Sequence, residues 1–135
     1  MMQKISLKLP QWATENVILL NVRLNDTTLV RMMLDTGAKY TVITPEIARR
    51  LALDLEEARR VPVVTASQLQ FAPLIPLGQV DVYGLMLERI ETAILDLPPA
   101  LGVEGLLGMS FLRRCRLVLD VPKQALELSL LQSSP

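Results

Sequence analysis

The sequence predicts a mostly-β fold, a barrel or sandwich with one or two short helices, on three observations. Its apolar runs are short and β-branched, and turn residues part them at Asn25-Asp26, Tyr83-Gly84 and Val121-Pro122-Lys123. Helix signals are confined to a stretch after Thr44 and one after Gly108. The regular strand-helix alternation of a parallel sheet is missing. With 135 residues the chain fits a single domain over 1–135. Half of its residues are hydrophobic but only 4% are aromatic, so aliphatic side chains have to fill the core.

Taken in order, NVILLNVRLNDTTLVRMML is a hairpin: an imperfectly alternating strand, turn chemistry at Asn25-Asp26, and a return strand from Thr27 to Leu34 that delivers Asp35 at its end. After Gly37-Ala38, YTVIT is β-branched enough for a third strand. Thr44 as N-cap, Pro45 at the first helical position and Glu46 in the first turn then start a short helix through EIARRLAL. DLEEARR is a solvated connection, and VPVVTA returns to strand. Pro73 and Pro76 exclude a central strand in the next stretch and suggest an edge or bent one. LGQVDV and LMLERIETAIL follow as strands joined at Tyr83-Gly84. An apolar pair and a glycine, Leu106-Leu107-Gly108, lead into a helical turn from Met109 to Arg113. CRLVLD and QALELSLL close the chain as a hairpin whose last strand alternates at Leu126, Leu128 and Leu130.

Composition excludes several function classes. Fourteen basic and fourteen acidic residues balance without forming blocks, which argues against nucleic acid as a partner. No apolar run approaches the length of a membrane span, and the N-terminus lacks a signal-type apolar core, so a cytoplasmic protein is expected. There is no histidine, which removes Ser-His-Asp and Cys-His triads and histidine-held zinc together. A lone Cys115 allows neither an intrachain disulfide nor a cysteine metal cluster, so no metal or cofactor is expected. A chain this apolar and neutral is expected to hide surface in an oligomer.

One stretch carries candidate chemistry: MMLDTGAKYTVIT, where Asp35 interrupts a hydrophobic run. An Asp-Thr-Gly triplet alone is weak evidence, since Asp and Gly are ordinary turn residues. Here it follows a hairpin strand, precedes another strand, and is matched downstream by Leu106-Leu107-Gly108 before a short helix. Asp81, Asp96 and Asp120 also stand at strand ends or turns, but none precedes Thr-Gly, and they read as surface acids.

In these residues and in the order of its elements, the chain resembles the retropepsin-like aspartic proteases, single-domain dimeric relatives of pepsin, in their small bacterial type. The resemblance covers roughly Asn16 to Leu131. It implies a closed acid-protease barrel, with Leu34-Asp35-Thr36-Gly37-Ala38 as the active-site loop and Leu106-Leu107-Gly108 as the structural motif behind it. Only one Asp-Thr-Gly is present, so a working pair of carboxylates implies a homodimer, with Asp35 buried opposite its copy from a second chain. Thr36 would then brace the two loops across the interface, Gly37 would let the backbone turn and present amides to the carboxylate, and Ala38 would pack beside them. Substrates would be peptides or proteins in an extended conformation. The flap over them is expected in VVTASQLQFA, tipped near Ala66, Ser67 and Gln68, and it lacks flap-tip glycines. Lys39 takes a position where the family often has Ser, Asp or Asn. The implied activity is aspartic endopeptidase. A non-catalytic module of the same fold, which dimerises and binds an extended peptide, is the alternative.

Overall fold

The computed structural model describes residues 3–9, 16–64 and 69–131 of the chain. Along it run β1 (Lys4–Lys8), β2 (Leu19–Leu24), β3 (Thr28–Leu34), β4 (Thr41–Ile43), α1 (Pro45–Arg50), β5 (Arg59–Val64), β6 (Leu69–Val82), β7 (Leu85–Ile94), β8 (Gly105–Leu107), α2 (Met109–Leu112), β9 (Cys115–Asp120) and β10 (Ala125–Leu130). Six strands close a barrel: β2 pairs with β3, β3 with β8, β8 with β4, β4 with β7, β7 with β6, and β6 returns to β2 through Val80–Val82. Closure removes the exposed edges that an open sheet of this apolar composition would carry. β5 adds to β6 outside the ring, and β1, β10 and β9 form a separate three-stranded sheet.

The core is aliphatic, as the composition requires. Leu20, Val22, Leu24, Val30 and Met32 from the first hairpin meet Leu77, Val80, Leu85 and Ile90 from the long one, with Phe111 of α2 among them. Ile5, Leu9, Leu126 and Leu128 join the same cluster, so the three-stranded sheet shares the core of the barrel. A second, smaller cluster gathers Val42, Val61, Ala72, Leu74, Ala93 and Leu95 beneath the β5–β6 hairpin. The two fully buried polar residues among the described residues, Thr41 and Thr92, face each other in register across β4 and β7. Both hydroxyls find partners: Thr92 Oγ1 donates to the Ile90 carbonyl at 2.8 Å, and Thr41 Oγ1 accepts from Gly108 and Ser110. That removes the penalty of burying an unpaired polar group.

Local chemistry accounts for the element ends. Asn25 and Asp26 both have positive φ, +49° and +58°, which a turn of mirror-image type requires. Asn25 also hooks the turn onto β6, donating from its N–H to the Gln79 carbonyl and accepting the Gln79 N–H on Oδ1. Thr44 caps α1 by accepting the Ile47 N–H.

The structure departs from the sequence reading at three places. The first helix stops at Arg50 instead of running through Leu53: Ala52 turns left-handed at φ +55°, and Leu53 donates back to the Ala48 carbonyl, a helix-ending pattern that sequence periodicity does not reveal. The stretch with Pro73 and Pro76 is edge-like as expected but is not a strand separate from LGQVDV, because β6 runs unbroken through both prolines. Its partner changes along its length, from β5 at residues 69–74 to β7 from Leu74 onward. Pro73 therefore pairs only with Arg60 and Pro76 only with Glu91, so each proline stands where the strand is locally an edge and its missing N–H breaks no ladder. Finally β1, which was not anticipated, pairs with β10 from Lys4↔Ser129 to Lys8↔Ala125. Among the described residues no helix is long and apolar enough to cross a membrane.

Candidate active site

β8 lies between β3 and β4, parallel to the first and antiparallel to the second. The segment from Asp35 to Tyr40 must join two strands that are not neighbours, so it arches over the end of β8. Gly108, which follows β8, is thereby brought directly under the arch. A Cβ at this position would stand 2.3 Å from the Tyr40 carbonyl oxygen and 2.9 Å from that of Ala38, so only glycine fits.

Backbone bonds fix the loop to its support. The Asp35 N–H donates to the Leu107 carbonyl at 3.0 Å, and the Met109 N–H donates to the Ala38 carbonyl at 2.8 Å. Within the loop, the Ala38 N–H reaches the Asp35 carbonyl at 3.2 Å and the Gly37 N–H donates to Asp35 Oδ1 at 2.9 Å. A side-chain latch adds to these: Ser110 Oγ donates to Thr41 Oγ1 at 3.0 Å and accepts the Thr41 N–H at 2.8 Å. The structure thus brings Asp35, Thr36, Gly37 and Ala38 together with Leu106, Leu107 and Gly108, and the loop is held from behind.

The loop itself faces outward. Thr36 and Gly37 are exposed, and Asp35 is half-buried in the single chain. A cavity of about 460 Å³ opens beside Asp35. Its floor is the smaller apolar cluster, with Val42, Ala93, Leu95 and Leu106, and the β5–β6 hairpin borders it through Val63 and Gln70. The expected flap tip, Ala66, Ser67 and Gln68, lies outside the described residues. A smaller hollow of about 280 Å³ lies against Asp35 and Thr36, where Ile18 and Leu119 line it.

Lys39 is exposed and lines the larger cavity, with its Nζ 5.3 Å from the centroid of the Tyr40 ring. Cys115 is buried away from the loop, and burial pushes its thiol up from 9.0 to about 11 while the Arg114 charge works the other way. That makes it an inert core residue.

Of the acids set aside as surface groups, Asp81 and Asp120 accept turn N–H groups, from Gly84 at 2.7 Å and Lys123 at 3.2 Å. Asp96 is exposed, and it lines the cavity that Asp35 lines. Sequence reading missed this, because only the parallel pairing of β4 with β7 carries the chain after β7 to that wall. It also missed Ser110 and the role of Thr41, which reads along the chain as an ordinary strand former.

Comparison with known proteins identifies the family and the fold. The family model for the gag-polyprotein putative aspartyl protease matches residues 20–114, which take in the Asp35 loop, β8 and α2. Among solved structures, a retropepsin-like aspartic protease from Rickettsia conorii superposes with a TM-score of 0.71 at 28% identity, over 94% of this chain and 90% of that one. No curated protein matches by sequence. The fold is a retropepsin-like barrel, and the chain belongs to the gag-polyprotein aspartyl protease family.

Proposed function

We propose that the chain is an aspartic endopeptidase that acts as a homodimer, in which Asp35 from two copies forms the catalytic pair. The observation that carries this reading is the setting of Asp35: a half-exposed carboxylate on a loop braced from behind, at the mouth of an apolar cavity. The chain has a single Asp-Thr-Gly, so its mate has to come from a second copy.

Two carboxylates about 3 Å apart cannot both ionise and share one proton, so the titration belongs to the pair. The ionised member takes a proton from water, which attacks the scissile carbonyl, while the protonated member polarises that carbonyl. The Gly37 N–H on Oδ1 would help hold the carboxylate in place for this work. An extended peptide would lie across the interface, held by backbone hydrogen bonds, with its apolar side chains on the floor of Val42, Leu95 and Leu106. Thr36, exposed beside Asp35, is available to brace the second loop. A cytoplasmic setting belongs to the same reading, in keeping with a single unpaired thiol.

The test sets wild type beside Asp35→Asn on an unbiased peptide library from acidic to neutral pH. Cleavage by wild type and its loss in the variant is the expected result. Equal cleavage by both sinks the proposal, and cleavage by neither moves the chain to a peptide-binding module.

A further inference from the structure

We infer that Lys39 gives the cavity beside Asp35 a charge preference, selecting peptides that carry a carboxylate side chain close to the apolar side chain seated on the cavity floor. This rests on reading the cavity as the peptide site.

Lys39 is exposed on the cavity wall, and among the described residues no ion pair neutralises it, whereas Lys4, Arg50 and Arg59 each have an acidic partner. Its ammonium has a favoured place at the cavity. It lies over the Tyr40 ring, 5.3 Å from its centroid, and Tyr40 itself packs against the apolar cluster of the floor. The cation is thus biased toward the cavity by a ring that packs on its floor. The floor beside it is apolar through Val42, Ala93, Leu95 and Leu106, with Val63 at the border, so a seated peptide displaces water and lowers the local dielectric.

The rest of the charge is arranged asymmetrically. Lys39 stands two residues before β4 and Asp96 two residues after β7. These strands run parallel in the register Thr41↔Thr92 to Ile43↔Ile94, so the cation and the acid lie off opposite ends of the pair. A peptide crossing the floor therefore meets a positive end and a negative end. An acidic side chain gains only at the Lys39 end, and there Lys39 also offsets repulsion from Asp35. The preference should accordingly fall on one position of the peptide and not on all of them.

The experiment uses matched peptides with a central Leu and Glu, Gln or Lys placed in turn at each flanking position, with wild type, K39Q and K39E. For wild type, kcat/KM should favour Glu over Lys at one position by roughly 3- to 10-fold, and added salt should shrink the ratio. K39Q should level the ratio and K39E should invert it. A ratio unchanged in both variants overturns the inference. Fluorescence anisotropy of the same peptides on D35N and D35N/K39E provides a readout independent of hydrolysis. If wild type cleaves nothing, the protease reading fails, and the Glu-to-Lys binding ratio of these two proteins still decides the role of Lys39. Absence of both cleavage by wild type and binding by D35N for every peptide overturns both.

Discussion

Gly108 and Gly102 make a contrast at the scale of single residues. An added methyl at Gly108 collides with backbone carbonyls of Tyr40 and Ala38, which cannot swing aside as a side-chain tip would. Gly108→Ala should therefore lift the Asp35 loop off β8 and destabilise the fold by about 3 kcal/mol, as overpacking of a close contact does. Gly102 has φ +66° but nothing near a new Cβ, so Gly102→Ala should incur only left-handed strain of about 1 kcal/mol. Urea unfolding of the two variants checks this, and equal losses would show that the contact under the loop is not decisive. Cys115 gives a pH-dependent prediction. Its thiol lies near 11 in the fold and at its ordinary 9.0 in the unfolded chain. The unfolded chain loses its proton first, so stability is intact below pH 9 and falls as pH rises toward 11. Unfolding midpoints across that range should decline in wild type more steeply than in Cys115→Ala, and thiol reagents at pH 8 should label Cys115 only on unfolding.

Single turns decide how elements join, and the one between β2 and β3 can be improved. Asp26 has φ +58° in a turn where Asn-Gly is the favoured pair. Asp26→Gly should raise stability by about 0.5–1 kcal/mol, whereas Asn25→Ala should lower it by at least that much, since it strips the acceptor for Gln79 as well. The midpoints of chemical denaturation report both signs. Asn25-Asp26 was legible in the sequence because turn residues act locally, and so were the capped start of α1 and the alternation of β10. The elements that misled are those whose form depends on distant partners. β6 tolerates Pro73 and Pro76 because its neighbour changes between them, a property of the sheet and not of the segment. β1 is short, and it is a strand because β10 offers it an edge. The candidate site divides in the same way. Asp35-Thr36-Gly37 and Leu106-Leu107-Gly108 can be read as motifs, while the Thr41–Ser110 latch and the place of Asp96 arise only where β4, β7 and α2 meet.

For the molecule as a whole, the exposed setting of Thr36 and Gly37 and the half-buried Asp35 bear on how many chains make one proposed site. A loop tied down this firmly on its inner side is ready to be covered on its outer side. If each site takes Asp35 from two chains, activity belongs to the pair, and two consequences follow that a monomeric enzyme could not show. Activity per chain should fall on dilution below the dissociation constant of the dimer, and sedimentation at the same concentrations should show the monomer appearing in step. Subunit mixing is the sharper measurement. When an equal amount of the Asp35→Asn chain is added to a fixed amount of wild type and subunits exchange freely, about half of the wild-type chains sit in mixed dimers that hold one carboxylate. The measured rate should then drop to about half, and further excess should drive it toward zero. An enzyme complete in one chain would keep its full rate at every ratio. The added chain should inhibit only after time for exchange, which separates subunit mixing from simple competition for substrate, since competition acts at once and is relieved by more peptide.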